Sequence, residues 1–318
     1  MLKHRTSVLC ISIFVCFVLL VSCNSTNKPV TTHPTSTVTH TPTVPTASPT
    51  PTGSSTTDTT PTHYTRTVVL KGVGRPDDLT FDLQGRLLFS DFYNGTVSRL
   101  NSDGSVTVLI SGLAGPEGLV VLSDGTMIIA EQNTNRILSL APGSKSAIVL
   151  RTLPGTPSTA QCKEGVDGIA LDPTTNTIIV PDSPIGNVYS MSLDGKTLKL
   201  LASGIVRPVG AAVDAQGTIY VADECGGALW SISTTGKLTR MGGFGMLDDV
   251  AFDHHGNVLV TDLQSSIHAL IRVRLPSGKH ETLASAGFIE PQGLAVDAND
   301  NIFVSDDYAD IIVEYKPA

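Results

Sequence analysis

One sequence pattern occurs six times between Arg75 and Tyr315. Each copy has a short segment that contains Gly, Pro or Asp, an apolar strand, a tight turn, and a second apolar strand that ends in an acidic residue. Successive copies begin 39 to 50 residues apart. A period near 40 with several short strands per repeat is typical of β-propeller blades. The copies begin at Arg75, Gly115, Gly165, Arg207, Met246 and Glu290.

The repeats predict an all-β fold, a six-bladed β-propeller. Runs such as Met127–Ala130 and Ile219–Ala222 are apolar at every position, which favours strands buried on both faces between neighbouring blades. The last repeat ends at Tyr315 without a fourth strand, whereas Thr67–Lys71 precedes the first repeat with the pattern of one. We therefore expect the N-terminal strand to complete blade six, which removes the open sheet edges.

The first 22 residues are typical of a secretory signal. Lys3, His4 and Arg5 precede the apolar run Val8–Val21, which is too short for a membrane span. Cys23 follows Leu20-Val21-Ser22, a sequence that resembles the bacterial lipobox. We expect lipidation at Cys23 and an extracytoplasmic protein anchored to the bacterial cell membrane. The alternative is an ordinary signal peptide followed by a coincidental cysteine.

Thr, Pro and Ser make up most of residues 24–63. Such a segment buries too little apolar surface to offset its ordering entropy, so we predict a disordered linker. The expected domains are therefore a signal peptide (1–22), a lipid anchor with linker (23–63) and the propeller (64–318).

Charge and cysteine content restrict the partners and the compartment. Loss of residues 1–22 removes Lys3 and Arg5 and changes the formal net charge from −8 to −10. An acidic chain lacks the basic footprint of a nucleic-acid-binding protein. Cys162 and Cys225 fall on the top rim of adjacent blades, which predicts a disulfide in an oxidising compartment; two free thiols are the alternative. We expect a monomer.

Carboxylates recur just before the innermost strands. In an up-and-down blade these positions face the central channel on one face of the propeller, here called the top. A ring of oxygen ligands suits a hard cation, most naturally Ca²⁺; alternatively, these are solvated loop acids too far apart to share an ion. The six positions are Asp77, Glu117, Asp167, Val209, Asp248 and Gln292, of which all but Val209 are candidate metal ligands.

Other top-face residues have less specific roles. Arg75 and Arg207, in opposite blades, either bind an anionic ligand or relieve the repulsion between the acids. No histidine falls among the channel positions, so an enzyme would depend on carboxylates and a metal. A second set of acids ends the second strands, where we expect each to accept backbone N–H bonds; a wider substrate-binding ring is the alternative. This set is Asp91, Glu131, Asp182, Asp223, Asp262 and Asp306.

Gln292–Asp297 followed by Asn301–Asp306 resembles an NHL repeat, and Gly217–Asp223 is similar to its second part. Residues 64–318 as a whole resemble the gluconolactonase/regucalcin-like (senescence marker protein) propellers, and in general form the streptogramin-lyase propellers. The resemblance to the gluconolactonase/regucalcin-like propellers implies a divalent cation, usually Ca²⁺, in the channel and hydrolysis of lactones. Glu117, Asp167 and Asp248 stand at the implied ligand positions, but the family's Asn ligand is absent.

Two functions follow as hypotheses. The first is a surface-displayed module that recognises a small molecule, a glycan or a protein through its top face. The second is a Ca²⁺-dependent hydrolase of lactones or related esters, in which Glu117, Asp167 and Asp248 hold the metal and a further carboxylate acts as base.

Overall fold

A computed structural model describes residues 60–72 and 74–318. The predicted signal peptide, Cys23 and most of the linker lie outside the described residues. The 24 strands form six four-stranded antiparallel sheets, each a blade. The strands, in blade order, are β2–β5 (Pro76–Phe81, Leu87–Asp91, Thr96–Leu100, Val106–Ser111), β6–β9 (Pro116–Val121, Met127–Glu131, Arg136–Leu140, Ile148–Thr152), β10–β13 (Ala170–Asp172, Thr177–Asp182, Asn187–Ser192, Leu198–Ser203), β14–β17 (Pro208–Val213, Ile219–Asp223, Ala228–Ile232, Leu238–Gly242), β18–β21 (Leu247–Phe252, Val258–Asp262, Ala269–Arg274, Lys279–Ala284), and β22–β24 (Pro291–Val296, Ile302–Asp306, Ile311–Pro317) with β1 (Tyr64–Lys71).

The all-β, six-bladed propeller predicted from the repeats is confirmed. β1 pairs antiparallel with β24, from Tyr64 opposite Pro317 to Lys71 opposite Ile311, and so supplies the outer strand of blade six. Single-turn 3-10 helices at Gln132–Thr134 and Ser183–Ile185 follow the second strands of blades two and three. Within residues 60–72 and 74–318, no helix has the length and apolarity that a membrane crossing requires.

Apolar side chains pack between each pair of neighbouring blades. Ile178 and Ile179 are adjacent in β11 and both fully buried, yet Ile178 packs toward blade two and Ile179 toward blade four. This explains why the second strands are apolar at consecutive positions, as expected for sheets covered on both faces.

Blade three departs from the pattern of the others. Its innermost strand has only three residues, Ala170–Asp172, whereas the innermost strands of the other blades have six. The residues before it bond to blade two instead: the Val166 N–H donates to Asn135 Oδ1 at 2.7 Å, and the Gly118 N–H donates to the Asp167 carbonyl at 3.1 Å.

Arg272, fully buried in β20, ties the start of β1 to blade five. Its guanidinium donates to the Pro61 carbonyl at 2.7 Å and to the Tyr64 hydroxyl, and pairs with Glu281 at 3.0 Å. A buried cation needs such partners, and these contacts hold the start of β1 against blade five.

Candidate functional site

Acids at the ends of the second strands hold the loops that lead into the innermost strands. The Asp306 carboxylate accepts the N–H groups of Ile289 at 2.6 Å and Glu290 at 3.2 Å from that loop, and of Ala309 at 2.9 Å from the following turn. The Asp223 carboxylate likewise accepts the Arg207 N–H at 3.0 Å. These bonds fit the structural role expected for the set and aim the next residues at the channel.

Those next residues form a ring around the channel, here called the mouth ring. Asp77, Glu117 and Asp248 are buried, and with Asp167 and Gln292 they line one open pocket at the top face. Val209 is the exception because its side chain is fully buried in the apolar cluster between blades four and five. The mouth ring is Asp77, Glu117, Asp167, Val209, Asp248 and Gln292.

A second ring directly below the mouth ring narrows the channel. Its members are Asp78, Gly118, Gly168, Gly210, Asp249 and Gly293. The glycines permit backbone contact, since a Cβ on Gly168 would lie 2.7 Å from the Gly210 Cα, and one on Gly293 2.6 Å from the Asp78 Cα. About 10 Å³ of free space remains at this level. The pocket is therefore a cup with a floor rather than a tunnel.

Asp78 and Asp249 bind neighbouring blades together at this floor. The Asp78 carboxylate accepts the Leu79 N–H at 2.8 Å and the Leu119 N–H of blade two at 2.6 Å. Asp249 repeats the arrangement with Val250 at 2.7 Å and Leu294 of blade six at 2.8 Å. Burial, followed by the charge of Asp249, raises the pKa of Asp78 well above its usual range, and burial raises that of Asp249 to about 7.

The pocket above this floor has a volume of about 290 Å³. Carboxylates dominate its lining, and aromatic side chains from blades one and six form part of its wall. Its lining residues are Asp77, Phe92, Tyr93, Glu117, Gln132, Glu164, Asp167, Arg207, Glu224, Asp248, Leu263, Glu290, Gln292, Asp307 and Tyr308.

Arg207 is the only basic residue in that lining, and acids surround it. Its guanidinium pairs with Glu164 at 3.2 Å, with Asp167 at 3.1 Å and with Glu224. A disulfide joins Cys162 and Cys225, which lie close to these two glutamates along the chain, so the crosslink holds the loops of blades three and four around Arg207.

Arg75, the second arginine singled out in the sequence, stands at the edge of the pocket. It pairs with Asp307 at 3.1 Å, and its guanidinium carbon lies 3.7 Å from the centre of the Tyr93 ring and 4.3 Å from that of Tyr308. Both arginines therefore neutralise acids, and neither has an unpaired charge to offer an anionic ligand.

Four of the lining acids lack a basic partner. None of the ion pairs that residues 60–72 and 74–318 make reaches Asp77, Glu117, Asp248 or Glu290. Burial raises the pKa of Asp77 to about 8 and the pKa values of Glu117 and Asp248 well above the usual range. The neighbouring carboxylates raise the pKa values of Glu117 and Asp248 further. Burial, then Asp307, raises the pKa of Glu290. The pocket thus favours either bound protons or a bound cation.

The mouth-ring side chains offer the oxygen ligands that a hard cation prefers, but their positions do not enclose an ion. All mouth-ring ligands would be oxygens, and Glu117 Oε2 is buried without a hydrogen-bond donor, while its Oε1 accepts from Gln132 at 3.1 Å. Among the residues that the structure describes, however, no three acidic, His or Cys side chains converge closely enough to enclose a metal ion. Asp167 is moreover already committed to Arg207.

Several residues that line the pocket were not predicted from the sequence. Gln132 donates to both Glu117 at 3.1 Å and Asp167 at 3.2 Å, which joins the mouth-ring acids of blades two and three. Tyr93 and Tyr308 follow the acids that end β3 and β23, so an aromatic residue two positions after that acid was an available signal. No histidine of the described chain lines the pocket.

Comparison with known proteins places the fold among lactonase and lyase propellers. No family model matches the chain. A gluconolactonase from Xanthomonas campestris is 15% identical with a TM-score of 0.67, covering 80% of this chain and 90% of that one. A streptogramin B lyase structure is 13% identical with a TM-score of 0.62, covering 80% and 98%. A catalytically inactive variant of virginiamycin B lyase from Staphylococcus aureus, with quinupristin, is 16% identical with a TM-score of 0.60, covering 77% and 82%. At these identities the likeness concerns the fold alone.

Proposed function

We propose that this propeller is a recognition module whose top-face pocket binds a positively charged ligand. The observation that carries the proposal is the set of four buried or half-buried lining acids, Asp77, Glu117, Asp248 and Glu290, that form no ion pair with any Lys or Arg of the described residues. A concave site lined by polar groups with strongly perturbed pKa values is where ligand binding is expected.

Ca²⁺ is the simplest candidate for that charge. Asp77, Glu117 and Asp248 would supply carboxylate oxygens and Gln292 an amide oxygen. The ion would offset the burial and the mutual repulsion that raise the pKa values of these acids. Because the described side chains do not already enclose an ion, water molecules or side-chain movement would have to complete the coordination.

A hydrolase of lactones or related esters is the second candidate. Asp77 and Glu117 are neighbouring buried carboxyls in the mouth ring, and burial raises both pKa values. In such a pair one carboxyl can donate a proton while the other accepts one, which is the requirement for a general acid next to a general base. The propeller named as a gluconolactonase has the same fold. Asp167 is less suited to the role expected from its position, because Arg207 already holds it.

Isothermal calorimetry of Ca²⁺ into chelator-stripped protein tests the first proposal. We expect micromolar binding in the natural protein and none in Glu117→Gln/Asp248→Asn. The matched control is Asp103→Asn/Asp124→Asn, which removes the same charge from exposed turns and should bind as the natural protein does. Equal Ca²⁺ binding by all three proteins would show that the pocket carboxylates hold no cation.

A lactone and ester screen tests the second candidate. Turnover that falls at least about a hundredfold in Asp77→Asn, within the usual range for losing an acid–base group, would assign catalysis to the Asp77–Glu117 pair. No turnover with any substrate, beside intact ligand binding, would leave recognition as the function.

We also propose that lipidation at Cys23 anchors the protein outside the cytoplasm, with the linker as spacer. The support is the order of basic residues, apolar run and Leu20–Cys23 in the sequence. Stable anchoring requires two or more acyl chains. Cys23→Ala should move the protein from the detergent phase to the aqueous phase in a partition assay; unchanged partition would refute the anchor.

A further inference from the structure

Two exposed tyrosines form one wall of the acidic pocket. Tyr93 of blade one and Tyr308 of blade six are 54% and 55% exposed and both line the cavity. The Phe92 ring packs edge-on against Tyr93, with the ring centres 5.1 Å apart. Exposed aromatic rings that are held in place beside a cavity provide apolar contact area at low entropic cost.

Arg75 decides what these rings can contact. Its guanidinium stacks on both tyrosines and is fixed by Asp307, so the cation–π site of each ring is already used within the protein. A second cation placed against the same rings would be repelled by Arg75. The tyrosine wall is therefore suited to the uncharged, apolar part of a ligand.

Two buried oxygens mark where the charged part belongs. Glu117 Oε2 and Asp307 Oδ1 accept no hydrogen bond from the residues that the structure describes, although Glu117 is 5% and Asp307 3% exposed and both line the pocket. A buried acceptor without a donor is unfavourable by about 1–3 kcal/mol. A cation that carries N–H groups would donate hydrogen bonds to these two oxygens and would also balance the negative charge of the acids.

The size of the pocket also favours more than a bare ion. Its volume of about 290 Å³ is near the lower end of small-molecule sites, and the acids stand around it instead of converging on a point. These features all fit a ligand with one compact charged end and an apolar body.

We propose that the pocket recognises a small organic ammonium, with its N–H groups on Glu117 and Asp307 and its hydrocarbon part on Tyr93 and Tyr308. This inference rests on the proposed recognition of a positively charged ligand and specifies the class of that ligand. It also sets an order of preference: a primary ammonium exceeds a quaternary one, which has no N–H to donate, and both exceed a neutral alcohol of the same length.

Calorimetry with four probes tests the order: n-pentylamine, pentyltrimethylammonium, 1-pentanol and Ca²⁺. We expect the primary amine to bind at least about tenfold more tightly than the quaternary ion and the alcohol, a difference of about 1.4 kcal/mol. Glu117→Gln should abolish amine binding. Tyr93→Ala/Tyr308→Ala should weaken amine binding at least about tenfold while leaving any response to Ca²⁺ unchanged.

The control for the tyrosine variant is Ile148→Ala, which shortens a 64% exposed side chain on an outer strand and should change nothing. Ca²⁺ binding with no amine binding would overturn the ammonium inference and leave the proposed function standing. Equal affinity of n-pentylamine for the natural protein and for Tyr93→Ala/Tyr308→Ala would also overturn the ammonium inference. Equal affinity of the natural protein for n-pentylamine and 1-pentanol would do the same. If no positively charged probe binds, the proposed function itself fails. Circular dichroism of each variant confirms that the propeller is folded.

Discussion

Replacing Asp249 by Asn should flatten the pH dependence of stability. Burial raises the pKa of this carboxyl from 3.8 to about 7, so the folded state holds a proton that the unfolded chain has released. The associated stability is fully present below about pH 4 and is lost as the pH rises to about 7. The slope is about 1.36 kcal/mol per pH unit and falls to half of that at pH 7, so between pH 5 and pH 7 the natural protein should lose roughly 2 kcal/mol of stability through this group.

Asp249→Asn lacks this pH-dependent loss of stability, but the substitution lowers the stability by a constant amount at every pH. An amide has one acceptor oxygen, whereas both oxygens of the Asp249 carboxyl group accept, one from Val250 and the other from Leu294. Leaving one buried N–H without an acceptor costs about 1–3 kcal/mol at every pH. Removing the charge of Asp249 also lowers the pKa of Asp78, which flattens the curve further. The variant should therefore be the less stable protein at pH 5 and should recover by roughly 3 kcal/mol at pH 8.

Urea unfolding in chelator, followed by the fluorescence of the single tryptophan, Trp230, measures this at pH 5, 6, 7 and 8. Asp172→Asn is the control, because burial alone would raise the pKa of Asp172 but hydrogen bonds from Thr175 and Thr174 outweigh it and lower that pKa. The stabilisation by Asp172 is complete above about pH 4. The free energy of unfolding of Asp172→Asn should therefore change with pH in parallel with that of the natural protein. Parallel curves for Asp249→Asn as well would mean that Asp249 is ionised throughout, and the reasoning from burial would be wrong.

Three further variants test the packing of the fold. Gly168→Ala should prevent correct closure or lower the unfolding temperature markedly, since its Cβ would lie 2.7 Å from the Gly210 Cα; an unchanged temperature would contradict the tight floor. Arg272→Met should cost roughly 3–5 kcal/mol, because acids are left buried without their cation, and hydrogen exchange should rise first near Tyr64. Cys162→Ser should cost about 2–4 kcal/mol in urea unfolding and weaken cation binding in the pocket, whereas a stability loss without any change in binding would separate the crosslink from the Arg207 cluster.

The architecture was predictable because each repeat occupies an equivalent place in a propeller. Once the period near 40 residues is found, the position of a residue within its repeat predicts its height and its distance from the axis. This is why the closing strand before the first repeat and the acidic positions at Asp77, Glu117 and Asp248 could be named from the sequence alone. The structure extends the closing strand to start at Tyr64.

Contacts between repeats were not predictable in the same way. Arg207 is held by Glu164 from the loop before blade three and by Glu224 from its own blade, and nothing in the spacing of one repeat indicates that partnership. The role of Asp249 had a visible signal, the Asp-Asp doublet that occurs only at 77–78 and 248–249 among the six strand-entry positions. Its meaning depends on the glycines in the other four blades, which bring the backbones together and leave two carboxylates to fill the centre.

The disulfide and the arginines together divide the pocket into two halves of different charge. On the side of blades three and four, Arg207 neutralises its acids and the Cys162–Cys225 bond keeps them in place. On the opposite side, Arg75 pairs with Asp307 and stacks on the tyrosines. The acids without an ion pair among the described residues, Asp77, Glu117, Asp248 and Glu290, therefore lie between a rigid ion-paired wall and an aromatic one. A ligand that enters with its charge toward these acids must place its other end against one of these walls, and the apolar choice is the tyrosine side.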